Sequence, residues 1–122
     1  MSVITGSYQL YIFVPSPLHL HIGALGSFAF PAGKYIYTGS AMNGLEARAA
    51  RHLRAAKSLH WHIDYLLQHA RVIRVDLFPG RERQECQLNQ RALALPGAKV
   101  VAPGFGSSDC RCVTHLVYLG PV

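Results

Sequence analysis

Between Gly33 and Ala55 the chain reads GKYIYTGSAMNGLEARAARHLRA, and its hydrophobic period changes part-way. Lys34 to Gly39 has the β-branched and aromatic composition of a strand. After Gly39-Ser40 the apolar positions Leu45, Ala49, Leu53 and Ala56 recur at helical spacing. A strand therefore turns tightly into a helix over about residues 43–57, and arginines and a histidine decorate that helix.

Upstream, SYQLYIFV (residues 7–14) predicts a first strand, stopped by Pro15 and Pro17, which cannot donate to a ladder. LHLHIG alternates, with Leu18, Leu20 and Ile22 on one face and His19 and His21 on the other. SFAF and KYIYTG follow, split by a Pro31-Ala32-Gly33 turn, so the first forty residues are expected to form a meander of antiparallel strands. Downstream, a second helix starts near residues 58–60 and turns Ile63, Leu66, Leu67 and Ala70 inward. RVIRVDLF is a strand closed by Pro79-Gly80, and residues 82–95 form a third helix ended by Pro96-Gly97. AKVVA is a short strand, and CVTHLVYL is a last one after the glycine-rich PGFGSSDC. The fold class is α+β, a small, mostly antiparallel sheet flanked by about three helices.

At 122 residues the chain holds one core and one domain, residues 1–122. Half its residues are hydrophobic, 15% are charged and the formal charge is +6, most of the cations being arginine. Guanidinium groups suit bidentate contact with phosphate, so a polyanion is the expected partner, nucleic acid ahead of membrane. No apolar run approaches the roughly 20 residues that span a bilayer. Three cysteines and the absence of a secretion-like leader lead us to expect a reducing, cytoplasmic setting with free thiols.

Helix phase then sorts the polar residues. With Leu45 at zero, Ala49 lies at about 40°, Ala56 at about 20°, His52 at about −20° and Arg48 at about −60°. Arg48 and His52 border the buried face, whereas Arg51 and Arg54 are expected to project into solvent. On the third helix Glu85, Leu88, Asn89 and Ala92 share one face. A carboxylate on an apolar face needs a partner, either a cation such as Mg²⁺ or Mn²⁺, which takes one or two protein oxygens, or a salt bridge to Arg48.

Taken in order, Gly6-Ser7-Tyr8 in the first strand, Tyr37-Thr38-Gly39 ending a later one, Arg48 and His52 on the next helix and Glu85 on a later helix resemble the pattern of the GIY-YIG nuclease superfamily. With HWHIDYLL and GFGSSDCRCVTHL, nearly the whole chain is similar to a compact branch of it, found alone or attached to endonuclease III-like glycosylases. Ser7 and Thr38 stand where the two motifs usually carry isoleucine, and LHLHIGALGSFAF separates the two tyrosines. The resemblance implies a metal-dependent endonuclease that hydrolyses DNA phosphodiester bonds in repair or processing. Tyr8, Tyr37, Arg48 and His52 would be its catalytic residues and Glu85 the ligand of one Mg²⁺ or Mn²⁺; Gly39, Ser40 and His62 would lie at the cleft. A phenol has a pKa of about 10, so a tyrosine acting as base would need Arg48 or the metal to stabilise phenolate, with His52 as alternative base or proton relay.

Two readings of other classes stand beside it. One is a non-catalytic nucleic-acid-binding module partnering a repair enzyme. The other is a zinc module with Cys110, Cys112, His115 and one of His60 or His62 as ligands. Zinc is disfavoured on sequence because, with the last strand begun by Cys112, that residue and His115 point to opposite faces, and the spacing fits no standard finger. His62 and Asp64 could line the cleft or cap and pair locally. The loop from Gly104 to Asp109 could cradle phosphate or only turn the chain. Target choice would have to come from DNA structure, a second copy of the chain or a repair protein.

Overall fold

A computed structural model describes residues 5–41, 44–53, 61–80, 84–107 and 110–121, with the backbone alone for 45–47. Its elements are β1 (Gly6–Val14), β2 (Leu18–Ile22), a 3₁₀ turn, β3 (Gly26–Phe30), β4 (Gly33–Ala41), α1 (Leu45–Leu53), α2 (His62–Leu67), β5 (Arg71–Pro79), α3 (Glu85–Leu93) and β6 (Leu116–Gly120). The expected α+β architecture is present. Among the described residues no helix is long and apolar enough to cross a membrane.

The expected meander does not form. β1 pairs antiparallel with β4 along its whole length, from Gly6 opposite Ala41 to Val14 opposite Gly33, and with β5 on its other side. The main sheet has the order β5-β1-β4-β6, while β2 and β3 make a separate hairpin. Both edges of β1 are thus occupied, and the Pro15–Pro17 stretch carries the chain out of the sheet before β2 begins. AKVVA contributes only a bridge from Lys99 to Tyr118, and the last strand starts at Leu116 rather than near Cys112.

Alternation along the strands builds two layers of core. Tyr8, Leu10, Ile12, Val14, Tyr35, Tyr37, Leu116 and Tyr118 face the hairpin, α2 and the loop around Phe105, where they meet Ile22, Phe30, Ile63 and Leu66. On the opposite face Ile36 and Val117 pack against Ala92 of α3, with Tyr11 and Leu93 at the margin. Each Leu or Ile fully removed from water in these layers contributes about 1.5–3 kcal/mol. Tyr35 and Tyr118 are sheet aromatics whose phenols donate to the Pro31 and Ala32 carbonyls at 2.6 and 2.8 Å, which fastens the turn before β4.

Two expectations for α1 change. Leu53 is exposed, because the inward face centres on His52 and Ala49, with His52 against Tyr8. Arg51 does not project into solvent: its guanidinium makes a fork of bonds, 2.9 and 3.1 Å, to the buried carboxylate of Asp64 on α2. Asp64 also accepts the Trp61 N–H at 2.9 Å, so one carboxylate caps α2 and ties it to α1. Arg54, His60 and the predicted start of the second helix lie outside the described residues.

Candidate active site

The site begins with a strand pair. Tyr8 of β1 faces Gly39 of β4, and a Cβ added at Gly39 would sit 2.6 Å from the Tyr8 hydroxyl. Only glycine leaves room for that phenol to lie across β4. The hydroxyl is then 2.7 Å from His52 Nε2, delivered by α1. Tyr37, two residues before Gly39 and therefore on the same face, has its ring 6.3 Å from that of Tyr8 and 6.4 Å from His52. All three side chains are buried.

Arg48, one turn before His52, is half-buried at the rim. It donates to the Ser40 carbonyl at 3.2 Å, and its guanidinium lies 4.2 Å from the Trp61 ring centre, as does that of Arg51. The Ser40 hydroxyl lies 3.2 Å from that of Ser7, which in turn accepts the Gln84 N–H just ahead of α3. These bonds fix where Glu85, the first residue of α3, sits relative to β1 and β4. The charges of Arg48 and Glu85 are both felt at the two phenols.

Burial pushes the Tyr8 phenol up to about 12, against the lowering pull of the Arg48 charge and hydrogen bond. Tyr37 is raised well above the ordinary phenol value, first by burial and then by Tyr8 and Glu85. Arg48 therefore does not produce a standing phenolate, contrary to the expectation for a tyrosine base. What the arrangement offers is a neutral phenol hydrogen-bonded to a buried imidazole.

Glu85 has 18% of its side chain exposed, and no salt bridge joins it to Arg48 among the described residues. Its nearest basic neighbour is His115 Nδ1 at 3.7 Å, too far for a hydrogen bond. A carboxylate in a helix first turn, half-buried and with no arginine or lysine partner among the described residues, fits a single-carboxylate site for a hard divalent ion.

His62 is not brought into this cluster by any hydrogen bond. Its Nδ1 accepts the Gly106 N–H at 2.9 Å, and its ring packs 5.7 Å from Phe105. Burial lowers its pKa. The N–H groups of Gly104, Phe105, Gly106 and Ser107 are spent on Val113, Ala102, His62 and Gly104, so this part of the loop turns the chain rather than cradling an anion. Gly106 has φ +70, and a Cβ there would meet the Tyr37 ring at 2.8 Å, so the loop is shaped to cover that tyrosine.

A second cluster lies on the other side of Thr38. The ligand atoms of Cys86, Cys110, Cys112 and His115 all fall within 4.8 Å of one another. The sequence objection to this set does not hold, because Cys112 and His115 both precede β6, and the fourth member is Cys86 of α3 rather than His60 or His62. Burial and the two neighbouring thiols push Cys86 up to about 12.

The model of the domain of unknown function DUF123 matches residues 7–121. The chain belongs to that family. No curated protein and no solved structure matches it. In this DUF123 chain the structure brings together Tyr8, Tyr37, Gly39, Ser40, Arg48, His52 and Glu85 from the sequence-derived set and leaves His62 on the loop side. Sequence reading missed the role of Ser7, noted only as a departure from the motif's usual isoleucine, and Trp61, whose polar neighbours come from a separate helix. It also missed Cys86, whose only cue was that it follows Glu85.

Proposed function

We propose that this DUF123 chain is a metal-dependent endonuclease of the GIY-YIG type, which hydrolyses DNA phosphodiester bonds in repair or processing. The observation that carries the reading is the buried 2.7 Å contact between Tyr8 and His52, rimmed by Arg48 and Glu85. A phosphodiester hydrolase needs a proton acceptor for water, positive charge beside the phosphoryl oxygens and a metal-binding carboxylate. A basic chain of charge +6 suits a polyanionic substrate.

Tyr8 donates its hydroxyl proton to His52 Nε2 and accepts the proton of the attacking water on the same oxygen, so the phenol relays a proton without resting as phenolate. Tyr37 orients Tyr8 and, with Phe105, keeps bulk water from the relay. Arg48, held by the Ser40 carbonyl and by Trp61, binds a non-bridging phosphate oxygen. Glu85 would hold Mg²⁺ or Mn²⁺, which when bound supplies positive charge at the leaving 3′-oxygen.

The test is a nicking assay with Mg²⁺ or Mn²⁺ on branched, single-stranded and duplex DNA, run beside Glu85→Ala and Tyr8→Phe. Metal-dependent cleavage that both variants lose supports the reading. Binding without cleavage on every substrate replaces it with the non-catalytic nucleic-acid-binding module. We also expect a second copy of the chain or a repair protein to help select the site.

A further inference from the structure

We propose that Cys86, Cys110, Cys112 and His115 bind one zinc ion that braces the candidate active site from the far side of β4. The donors come from two places distant in sequence, the first turn of α3 and the segment before β6. Four N and S atoms from such separate segments fall within 4.8 Å of one another. In a tetrahedral site with Zn–S of about 2.3 Å the sulfurs lie about 3.8 Å apart, so closure needs a shift of no more than about an ångström.

The orientation of His115 carries the proposal further. Its Nδ1 lies 3.0 Å from the Thr38 carbonyl, and since a carbonyl only accepts, Nδ1 carries the hydrogen. In the neutral ring the Nε2 lone pair is then free, and Nε2 sits 3.1 Å from Cys110 Sγ and 3.9 Å from Cys86 Sγ. A metal-bound imidazole is typically fixed in this way, one nitrogen donating to a carbonyl while the other takes the ion. The Glu85 carboxylate, 3.7 Å from Nδ1, adds negative charge behind the same ring. Soft thiolates select zinc over magnesium, so the site is distinct in chemistry from the carboxylate of Glu85 next door. On binding, the three thiols give their protons to solvent, and sulfur and nitrogen lone pairs form the four bonds to the ion.

A disulfide is the rival use of these thiols, but it would employ two sulfurs and leave His115 without a role. The ion instead ties Cys86, and with it Glu85, to His115, which also accepts the Thr38 N–H through its carbonyl at 3.1 Å. Thr38 lies between Tyr37 and Gly39, so the brace fixes the strand position on which the tyrosine cluster depends.

The experiment is elemental analysis of the full chain, grown with added zinc and dialysed without chelator, followed by addition of Co²⁺ to the reduced, metal-stripped protein. One zinc per chain, and the visible bands of tetrahedral cobalt with sulfur charge transfer, are expected. Removing zinc should lower the unfolding temperature by more than about 10 °C. Cys86→Ser and Cys112→Ser, both at half-buried positions, should lose the metal, and Glu85→Ala should keep it. Absence of stoichiometric metal together with no tetrahedral cobalt spectrum overturns the proposal, as does full zinc retention in Cys86→Ser and Cys112→Ser. The Glu85→Ala arm separates the two sites: cleavage can fail while zinc stays, and zinc can be absent while cleavage persists.

Discussion

The two sides of Thr38 differ in the kind of chemistry they assemble. On one side Tyr8, Tyr37 and His52 form a closed aromatic and imidazole cluster, whose charged members, Arg48 and Glu85, stay at its rim. On the other, three thiols and one imidazole converge with no arginine or lysine among them. The first set has the chemistry suited to proton transfer and phosphate contact; the second has donors suited to a soft ion. One backbone residue serves both, since Thr38 donates to and accepts from His115 while its neighbours Tyr37 and Gly39 belong to the tyrosine cluster.

The sharpest break between the two sides is Glu85→Ala. We expect metal-dependent cleavage to fall by about a thousandfold, roughly 4 kcal/mol of transition-state stabilisation, with bound zinc unchanged. Steady-state nicking rates beside elemental analysis read both. Next in size is Asp64→Ala, which removes the Arg51 fork and the α2 cap together. A loss of about 3 kcal/mol in urea unfolding is expected, at the lower end for a buried pair because Arg51 keeps 17% of its side chain exposed.

Gly39→Ala is the smaller probe of the tyrosine side. The new methyl would have to displace the Tyr8 hydroxyl, so we expect about 1–3 kcal/mol of destabilisation and a loss of cleavage, again with zinc retained. The smallest effect concerns pH. His62 is held below its ordinary value of 6.5 by burial, and its Nδ1 must be unprotonated to accept the Gly106 N–H. The unfolded chain therefore binds the proton more readily; stability from this group is full above about pH 6.5 and falls as pH drops toward the lowered folded value. A thermal-unfolding series between pH 7.5 and about 5 should show that loss, and His62→Gln should flatten it. An identical slope in the variant would remove His62 as the cause.

Much of this was legible because it is local. Period-two runs and the Pro and Gly stops located β1 to β5, and helix phase put Arg48 and His52 at the inward edge of α1. The pairing of β1 with β4 was not legible, because alternation shows which face a residue takes but not which strand lies alongside. Arg51 was misjudged for a similar reason: its angle on α1 is outward, yet α2 arrives there with Asp64. The thiol cluster depended on where β6 starts. A shift from Cys112 to Leu116 turns two residues expected on opposite faces into joint members of one segment. Cys86 could join them only once α3 was known to pack against β4.

The central place of β1 also sets a timetable. β1 precedes both of its neighbours, β4 and β5, in the chain, and the four-stranded sheet is not complete until β6 at Leu116–Gly120. On a ribosome, Tyr8 and His52 are both synthesised well before Glu85, and Glu85 well before His115. Long-range pairing of this kind makes folding slow compared with a helical bundle of equal size. It also means that the tyrosine cluster must wait for Glu85, and the thiol cluster for His115, before either can be complete on a nascent chain.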